Sequence, residues 1–274
     1  MVSALLIQPG HVPLNKTDSL ALVSIKNNIS NLDWDLTNTQ KRTGVTTLNG
    51  RVIGLQVYSY NTNGNEGSIP EDIGNLSELI NLSITGKLHG TIPNSVTKLT
   101  KLQSLRITNG SGTLSDTIPA EIGNLINLTD LSIFNAAKGP IPKSIGKLNK
   151  LVSLSLSTGN IDGAIPEEFY SLKNLQTITL NDQKLSGTIS EKIGNLKNVS
   201  YLDITNNNLS GKIPTTIGEL KNLLYLDLSG NKLSGEIPQS LNNCTSISAF
   251  KLNNNELEGE VPAIFDNKQK LTRL

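Results

Sequence analysis

A Gly-x-Ile-Pro phrase returns about every 24 residues along most of this chain. It stands at residues 67–70, 90–93, 163–166, 211–214 and 235–238. Self-similarity at a period of this length indicates a stack of similar units rather than a compact globular domain. Such a stack grows around one continuous core, so the length of 274 residues does not by itself predict two domains. Because stacked-repeat proteins bind their partners on an extended surface, we expect the functional residues among the surface side chains.

The units are uneven along the chain. Counted from the glycine of each phrase, they start at residues 67, 90, 116, 139, 163, 187, 211, 235 and 259. Asp116 replaces the glycine in the third unit, and Ser190 replaces the proline in the sixth. The spacing is 24 from Gly139 onward, whereas the earlier units carry insertions such as residues 109–112. This pattern predicts a regular C-terminal half and a less regular, more mobile N-terminal half.

Each unit has fixed apolar positions. In the seventh unit, Leu223-x-x-Leu226-x-Leu228 changes from a three-residue step to alternation, which predicts a short strand with Leu226 and Leu228 pointing inward. Stacked units then form a parallel sheet with one strand per unit. Residues 214–220 should return along the opposite side as a short helix or 3₁₀ segment, because Pro214 suits the opening of such a segment.

An asparagine recurs where the chain leaves the strand. Asn207, Asn231 and Asn255 occupy this position in the sixth, seventh and eighth units. A side-chain amide there can bond backbone groups of neighbouring units, so these residues predict a structural asparagine ladder. Gln183 and Gly159 stand at the same position upstream, which suggests that the ladder is broken there.

Composition excludes several classes of function. The net charge is +1 without a long basic run, and aromatic residues make up only 4 % of the chain, which argues against nucleic-acid binding. No stretch approaches the roughly 18 apolar residues that span a bilayer. Two histidines, His11 and His89, predict neither a catalytic triad nor a metal site, and we expect no cofactor. The single cysteine, Cys244, is expected to be a buried small apolar residue.

Residues 223–238, Leu-Leu-Tyr-Leu-Asp-Leu-Ser-Gly-Asn-Lys-Leu-Ser-Gly-Glu-Ile-Pro, resemble the plant-type leucine-rich repeat of receptor-kinase ectodomains and polygalacturonase-inhibiting proteins. The resemblance covers about residues 50–274. It implies an α/β solenoid: a right-handed superhelix with a concave parallel β-sheet, short helical or 3₁₀ segments on the convex side, and a second, shorter sheet near the Leu-Ser-Gly-x-Ile-Pro segments. The chain ends inside the ninth strand pattern, so we expect a truncated last repeat and a fragment of a longer product.

Residues 1–49 resemble the family's N-terminal cap. Residues 18–26 look like its opening helix, and residues 44–52 look like the hairpin that leads into the first strand. Plant caps carry a Cys-x-Trp-x-Gly-Val-x-Cys pattern, whose cysteine and tryptophan positions read Gln40, Arg42 and Thr47 here. This departure predicts a bacterial or protist homologue whose cap is held by packing alone.

The best functional candidates are large residues at outward strand positions, because the fold does not require them there. Aromatic and arginine residues dominate binding hot spots. The alternative is that exposed tyrosines on a strand only favour sheet packing. The candidates for ligand binding on the concave face are Tyr201, Tyr225, Asp203, Asp227, Arg106, Phe134 and Lys251.

Asp203 and Asp227 share one outward column and should lie about 4.8 Å apart, one strand spacing. Paired acids at such a distance resemble a glycosidase site. Leu-Asp-Leu is nevertheless the ordinary wording of the repeat, so we expect two solvated acids whose pKa values are raised by mutual repulsion.

These features together predict a non-catalytic recognition module that binds a protein or a polysaccharide on its concave face, outside the cell or at its surface. A rigid, preformed face avoids the cost of ordering a ligand site. One alternative is an inhibitor of a secreted hydrolase, like the polygalacturonase-inhibiting proteins. A remote alternative is a carbohydrate-active enzyme that uses Asp203 and Asp227. The chain also carries nine Asn-x-Ser/Thr sequons, which imply a glycoprotein only if a eukaryote secretes it.

Overall fold

A computed structural model describes residues 12–32, 34–35, 42–58, 66–110, 113–114 and 116–263. Its α-helix is α1 (Lys16–Asn28). The strands are β1 (Val45–Leu48), β2 (Arg51–Val57), β3 (Glu66–Gly67), β4 (Asn81–Leu88), β5 (Ser104–Asn109), β6 (Asp116–Thr117), β7 (Asp130–Phe134), β8 (Ala137–Pro140), β9 (Ser153–Ser157), β10 (Asn160–Gly163), β11 (Thr177–Thr179), β12 (Lys184–Gly187), β13 (Tyr201–Asp203), β14 (Asn208–Gly211), β15 (Tyr225–Asp227), β16 (Lys232–Glu236), β17 (Ala249–Lys251) and β18 (Glu256–Glu258).

The main sheet runs in the order β1-β2-β4-β5-β7-β9-β11-β13-β15-β17, and β3 pairs with β4 beside this path. The pairs are parallel except for β1 and β2, which form an antiparallel hairpin. Equivalent residues of consecutive units face each other, as Leu202 faces Leu226. Leu226 and Leu228 are fully buried, as the alternating pattern predicts, because they point from the strand into the core between the two sides of the stack.

The opposite side of the stack holds the second sheet and the 3₁₀ segments. The second sheet runs β18-β16-β14-β12-β10-β8-β6 and is built from the Leu-Ser-Gly segments. Gly211 and Gly235 have φ of 75° there, a left-handed conformation that explains why the repeat requires glycine. The 3₁₀ segments are Glu71–Asn75, Asn94–Lys98, Ile122–Asn124, Lys143–Lys147, Glu167–Ser171, Glu191–Asn195, Thr215–Glu219 and Gln239–Asn243. The repeat pattern therefore predicted the main sheet and the 3₁₀ segments, and the family resemblance implied the second sheet.

The first turns of the chain contain a buried ion pair. Asp18 on α1 is completely buried, and Arg51 donates to both of its carboxylate oxygens at 3.1 Å. The backbone N–H of Val52 donates to the same carboxylate at 2.7 Å. Trp34 is also buried, and its indole donates to the carbonyl of Thr43 at 2.9 Å. The expectation that packing alone holds this region is therefore wrong, because charge-assisted hydrogen bonds tie the helix to the first strand of the stack.

A ladder of side-chain amides connects consecutive units. Asn207 accepts from the backbone N–H of Leu185 at 3.0 Å and donates to the carbonyl of Leu180 at 2.8 Å. Asn231 and Asn255 make the equivalent bonds one and two units later. The ladder does not break at Gln183, whose longer side chain accepts from Ile161 N–H and donates to the Leu156 carbonyl. Upstream, the buried amide of Asn109 accepts from Leu88 N–H. These amides satisfy backbone groups that the sheets leave open.

The strands of the main sheet differ in length between the two halves. Strands β2, β4, β5, β7 and β9 contain 7, 8, 6, 5 and 5 residues. Strands β11, β13, β15 and β17 contain three residues each. The N-terminal strands are therefore longer but vary in length, whereas the C-terminal strands are uniform, which agrees with the prediction of a less regular N-terminal half. The predicted mobility of that half stays a prediction. The expected truncation of the last repeat lies outside the described residues.

Candidate functional site

The outward positions of the main sheet form columns, because every unit pairs in the same register. Across the centre of the sheet these columns carry small hydroxyl side chains: Ser132, Ser153, Ser155, Thr177 and Thr179. Larger side chains stand on both sides of this strip. Toward the C-terminal end they are Tyr201, Asp203, Tyr225, Asp227 and Lys251, which we call the tyrosine cluster. The strip thus has a well-defined wall along its C-terminal side.

The two tyrosines of the cluster form a parallel stack. Tyr201 on β13 and Tyr225 on β15 face each other in register, and their ring centroids lie 4.5 Å apart at an interplanar angle of 5°. This separation is close to the spacing of neighbouring strands, so the sheet itself sets the stacking distance. Both rings are half-buried. The sheet therefore presents a rigid aromatic surface without further ordering of the side chains.

Lys251 and Asp227 complete the outer end of the stack. The Lys251 Nζ lies 3.1 Å from the Tyr225 hydroxyl and 3.1 Å from the Asp227 carboxylate. It also lies 5.4 Å from the centroid of the Tyr225 ring. The Tyr225 hydroxyl donates to Asp227 at 2.9 Å. Burial is the largest cause that raises the pKa of Tyr225 to about 12, so this hydroxyl stays a donor at neutral pH.

Asp227 is a buried and fully engaged carboxylate. Only 4 % of its surface is exposed, and Ser229 donates to it from both its backbone N–H and its hydroxyl. Burial acts to raise its pKa, but the hydrogen bonds from Ser229, Tyr225 and Lys251 outweigh burial, so the pKa lies below its ordinary value. Asp227 is therefore held as an anion.

Asp203 occupies the same position one unit earlier but differs in its surroundings. Thr205 donates to it from its backbone N–H at 3.0 Å and from its hydroxyl at 2.8 Å. Burial is the largest cause of its raised pKa, and repulsion by Asp227 contributes less. The expectation of two solvated acids is thus wrong for Asp227, and a raised pKa with a contribution from repulsion holds for Asp203 alone. Because Asp227 is buried and engaged by Tyr225, Ser229 and Lys251, its oxygens are not free to act as the nucleophile or base of a glycosidase-type pair.

The other two predicted residues lie apart from the cluster. Arg106 is exposed on β5 between Ser83 and Ser132. Phe134 is 42 % exposed on β7, three strands from β13 in the sheet order. The structure therefore brings five of the seven candidates together and places two on the far side of the hydroxyl strip. Sequence reasoning missed Thr205 and Ser229, although a hydroxyl two residues after each aspartate is the signal of a local side-chain turn.

Two further properties limit the chemistry of the described residues. No group of three or more His, Cys, Asp and Glu side chains in this part of the chain could hold a metal ion. None of its helices is both long and apolar enough to cross a membrane.

Comparison with known sequences identifies the repeat. The family model described as "Leucine-rich repeat region" matches residues 51–186, and the one described as "Leucine rich repeat" matches residues 174–233 and 197–257. No curated protein matches the sequence. Among solved structures, the chain is similar to the plant peptide hormone receptor RGFR1 in complex with RGF2, with 38 % identity and a TM-score of 0.73. That match covers 80 % of this chain and 35 % of the receptor.

A second similar structure is the leucine-rich repeat ectodomain of the membrane receptor kinase GASSHO1/SCHENGEN3 from Arabidopsis thaliana, in complex with CASPARIAN STRIP INTEGRITY FACTOR 2. It has 30 % identity and a TM-score of 0.83 over 94 % of this chain and 32 % of that chain. This chain thus spans about a third of the length of both receptors. A plant ice-binding protein, at 23 % identity and a TM-score of 0.57, covers 95 % of this chain and 94 % of its own, and shows the fold alone. These comparisons give no support to a bacterial or protist origin.

Proposed function

The chain belongs to the leucine-rich repeat family, and we propose that it is a non-catalytic recognition module that binds a peptide or a peptide-like segment of a protein. The ligand lies on the outward face of the main sheet. It crosses the hydroxyl strip and ends against the tyrosine cluster. The similar plant receptors were solved with peptide ligands, and we extend that property of theirs to this chain as part of the proposal.

The observation that carries this proposal is the Tyr201–Tyr225 stack. Tyrosine is enriched at binding hot spots, since it supplies a large contact area with few rotatable bonds. The stack is fixed before any ligand arrives, because Tyr225 is held by Asp227 and Lys251. Pre-organisation of this kind lowers the entropic cost of binding. The small side chains of the strip next to it leave room for an extended chain above the sheet.

We further propose that the module acts outside the cell or at its surface, as the receptor ectodomains similar to it do. The single cysteine is compatible with this location, because Cys244 is buried and is not a partner for a disulfide within the chain. A rigid parallel sheet that depends on packing and amide ladders does not need disulfides for its stability.

A peptide selection tests the proposal. The protein is panned against a random library of peptides about 12 residues long, which is near the extended length of the main-sheet face, at about 4.8 Å per strand. Selected peptides are then measured by calorimetry with the wild type and with Tyr201→Ala/Tyr225→Ala. Because truncation of a hot spot costs about 2 kcal/mol or more, the affinity should fall about 30-fold.

Ile126→Ala is the control, since it removes an exposed apolar side chain that lies outside the main sheet. It should change the affinity by less than about threefold. Peptides that bind equally well to the tyrosine variant would contradict the proposal. Failure to select any peptide, together with binding to a glycan panel or inhibition of a pectin-degrading hydrolase, would favour the polysaccharide or inhibitor alternatives instead.

A further inference from the structure

The tyrosine cluster contains the same pair of residues twice, with different surroundings. In the seventh unit, Tyr225 and Asp227 hold the ammonium group of Lys251 between hydroxyl and carboxylate, beside the ring. In the sixth unit, Tyr201 and Asp203 repeat this pair 24 residues earlier. Within the described part of the chain, no cation contacts that second pair. The seventh unit therefore shows how this sheet binds a cation, and the sixth unit has the same groups without one.

The carboxylate of Asp203 has one engaged and one free oxygen. Its Oδ1 accepts both hydrogen bonds from Thr205. Among the described residues, no hydrogen-bond or ion-pair partner contacts its Oδ2. The nearby Asp182 is saturated by the amides of Asn181 and Asn206. Among Asp182, Asp203 and Asp227, Asp203 is thus the carboxylate with a vacant acceptor oxygen.

The ring of Tyr201 also has a vacant side. Tyr225 covers one face of the ring. Over the other face lies the fifth unit, whose paired residue is Thr177. A threonine is too short to cover an aromatic ring, and Thr179 beside it is equally small. Within the described residues no other ring or cation stacks on Tyr201, so the stack has a cation at its Tyr225 end and open space at its Tyr201 end.

We propose that Tyr201 and Asp203 form a subsite for the guanidinium group of an arginine side chain, seated above Thr177 and Thr179. A guanidinium is planar, so it lies flat on the free face of the ring, and its N–H groups reach the free oxygen of Asp203. An ammonium group suits this position less, because it cannot stack. The subsite rests on the proposed function in that the arginine belongs to a peptide ligand.

Partial burial supports this assignment. Burial already disfavours the charge of Asp203 and raises its pKa, and no cation compensates it in the free protein. A bound guanidinium supplies that compensation and gains a charge-assisted hydrogen bond in a half-buried position, where such bonds are stronger than in water.

The test uses small probes in place of the ligand. N-acetyl-L-arginine amide is titrated into the protein labelled at its tyrosine rings, and the ring resonances of Tyr201 are followed by NMR. We expect a saturable shift of Tyr201 with the arginine probe. N-acetyl-L-citrulline amide has nearly the same shape without the charge and should give no saturable shift. N-acetyl-L-lysine amide should bind more weakly than the arginine probe, because it does not stack.

Three variants sharpen the test. Asp203→Asn keeps the shape of the side chain and should weaken the arginine probe about tenfold, since a charged contact becomes a neutral one. Thr177→Trp fills the space over Tyr201 and should abolish the shift, although its position on the outward face leaves the core unchanged. Asp162→Asn, an exposed acid on the second sheet, is the control and should leave the affinity unchanged.

An equal response to citrulline or lysine would overturn the assignment, and so would unchanged binding in Asp203→Asn or Thr177→Trp. The outcomes also separate this inference from the proposed function. Selected peptides that depend on the tyrosines but contain no required arginine would leave the proposed function intact and refute the subsite. Binding of the arginine probe without any selected peptide would do the reverse.

Discussion

The two halves of the main sheet end their strands in different ways. In the N-terminal half, pairing continues outward past the core residues to Phe134 and Ser157. In the C-terminal half, pairing stops earlier, at Asp203 and Asp227. The next carbonyl in line, that of Leu180 or Ile204, is taken instead by the ladder amide of the following unit. Pairing with the following strand therefore ends where a ladder amide takes the next carbonyl, as it also does between β9 and β11, where Gln183 binds the Leu156 carbonyl.

The side chains at the strand ends reinforce this difference. Asp203 and Asp227 each capture the backbone N–H two residues further on, which removes that donor from the sheet. The equivalent positions of the N-terminal half, such as Ser83 and Arg106, make no such turn within the described residues. In the sixth and seventh units, the aspartates at the strand ends are also the anions of the tyrosine cluster, whereas β11 is equally short and ends at Thr179. The end of the strand and the binding chemistry therefore share residues in these two units.

The largest expected effect is in the N-terminal half, at its buried ion pair. Arg51→Met leaves the completely buried Asp18 without its cation, and because the arginine is itself partly exposed, we expect the low end of the cost for a buried pair, about 3 kcal/mol. Trp34 is the single tryptophan and is buried in this region, so its fluorescence during urea unfolding reports on the N-terminal half directly.

Arg106→Met is the control for this variant, because Arg106 is an exposed arginine on the same sheet. It should change the free energy of unfolding by less than about 0.5 kcal/mol. If both arginine variants unfold at the same urea concentration, the Asp18–Arg51 ion pair does not stabilise the N-terminal half.

An intermediate effect is expected from the ladder of the C-terminal half. Asn231→Ala leaves the buried Leu209 N–H without a partner and removes the shorter of two hydrogen bonds to the Ile204 carbonyl, at a cost of about 2 kcal/mol. Asn109 accepts from the Leu88 N–H at 3.0 Å, but its bond to the Leu114 carbonyl is 3.3 Å long, so Asn109→Ala should cost less, about 1 kcal/mol. Urea unfolding followed by circular dichroism measures both.

Hydrogen exchange localises the change. The amide of Leu209 should lose protection in Asn231→Ala, whereas Asn208→Ala, at the exposed neighbouring position, should leave it protected. If Asn231→Ala and Asn109→Ala lower the free energy of unfolding by the same amount, the ladder stabilises both halves equally, and the expected difference between the halves is wrong.

The smallest expected changes in the free energy of unfolding come from substitution of the two aspartates of the tyrosine cluster, which should differ at neutral pH. Asp227→Asn removes an anion that accepts from Ser229, Tyr225 and Lys251, and should cost about 1–2 kcal/mol. Asp203→Asn removes a partly buried charge without a counter-cation, so it should be neutral or stabilising by up to about 0.5 kcal/mol. Thermal unfolding of both variants at pH 7 measures the difference.

The pH dependence of these effects follows from the directions of the pKa shifts. The folded pKa of Asp227 is lowered, so its stabilising contribution is present above the unfolded pKa and is lost as the pH falls toward the folded value. The folded pKa of Asp203 is raised, so its destabilising contribution is present at neutral pH and is lost as the pH falls through the folded and then the unfolded value. Costs of the same sign for both variants at pH 7 would contradict the assigned surroundings.

The repeat pattern predicted most of the fold within a single repeat unit. Alternation at Leu226 and Leu228 predicted the inward face, and Pro214 marked the opening of the Thr215–Glu219 segment. The point at which pairing with the next strand ends was not predictable, because a side-chain amide of a different unit takes the next carbonyl, 27 residues away in sequence for Asn207 and Leu180. The role of Gln183 was missed for a similar reason, since one extra methylene group in the side chain compensates for a small change in backbone position.

The sequence predicted which residues form the candidate site but not which of its two aspartates pairs with a cation. The shared column of Tyr201 and Tyr225 followed from the period alone, because equivalent residues of consecutive units must face each other. The contrast between Asp203 and Asp227 did not follow. It depends on Lys251, which stands one unit further on and satisfies only one of the two acids.

The direction of the amide ladder has a consequence for how the chain is made. Each ladder residue satisfies backbone groups of the unit before it, 22 and 27 residues earlier for Asn207 and Asn231. A ribosome releases the chain from its N-terminus, so every unit emerges with open backbone groups and is completed by its successor. At about 5–20 residues per second, the successor follows within about one to five seconds. Throughout translation the nascent solenoid therefore carries a single incomplete repeat at its growing end, while every repeat already behind it is closed.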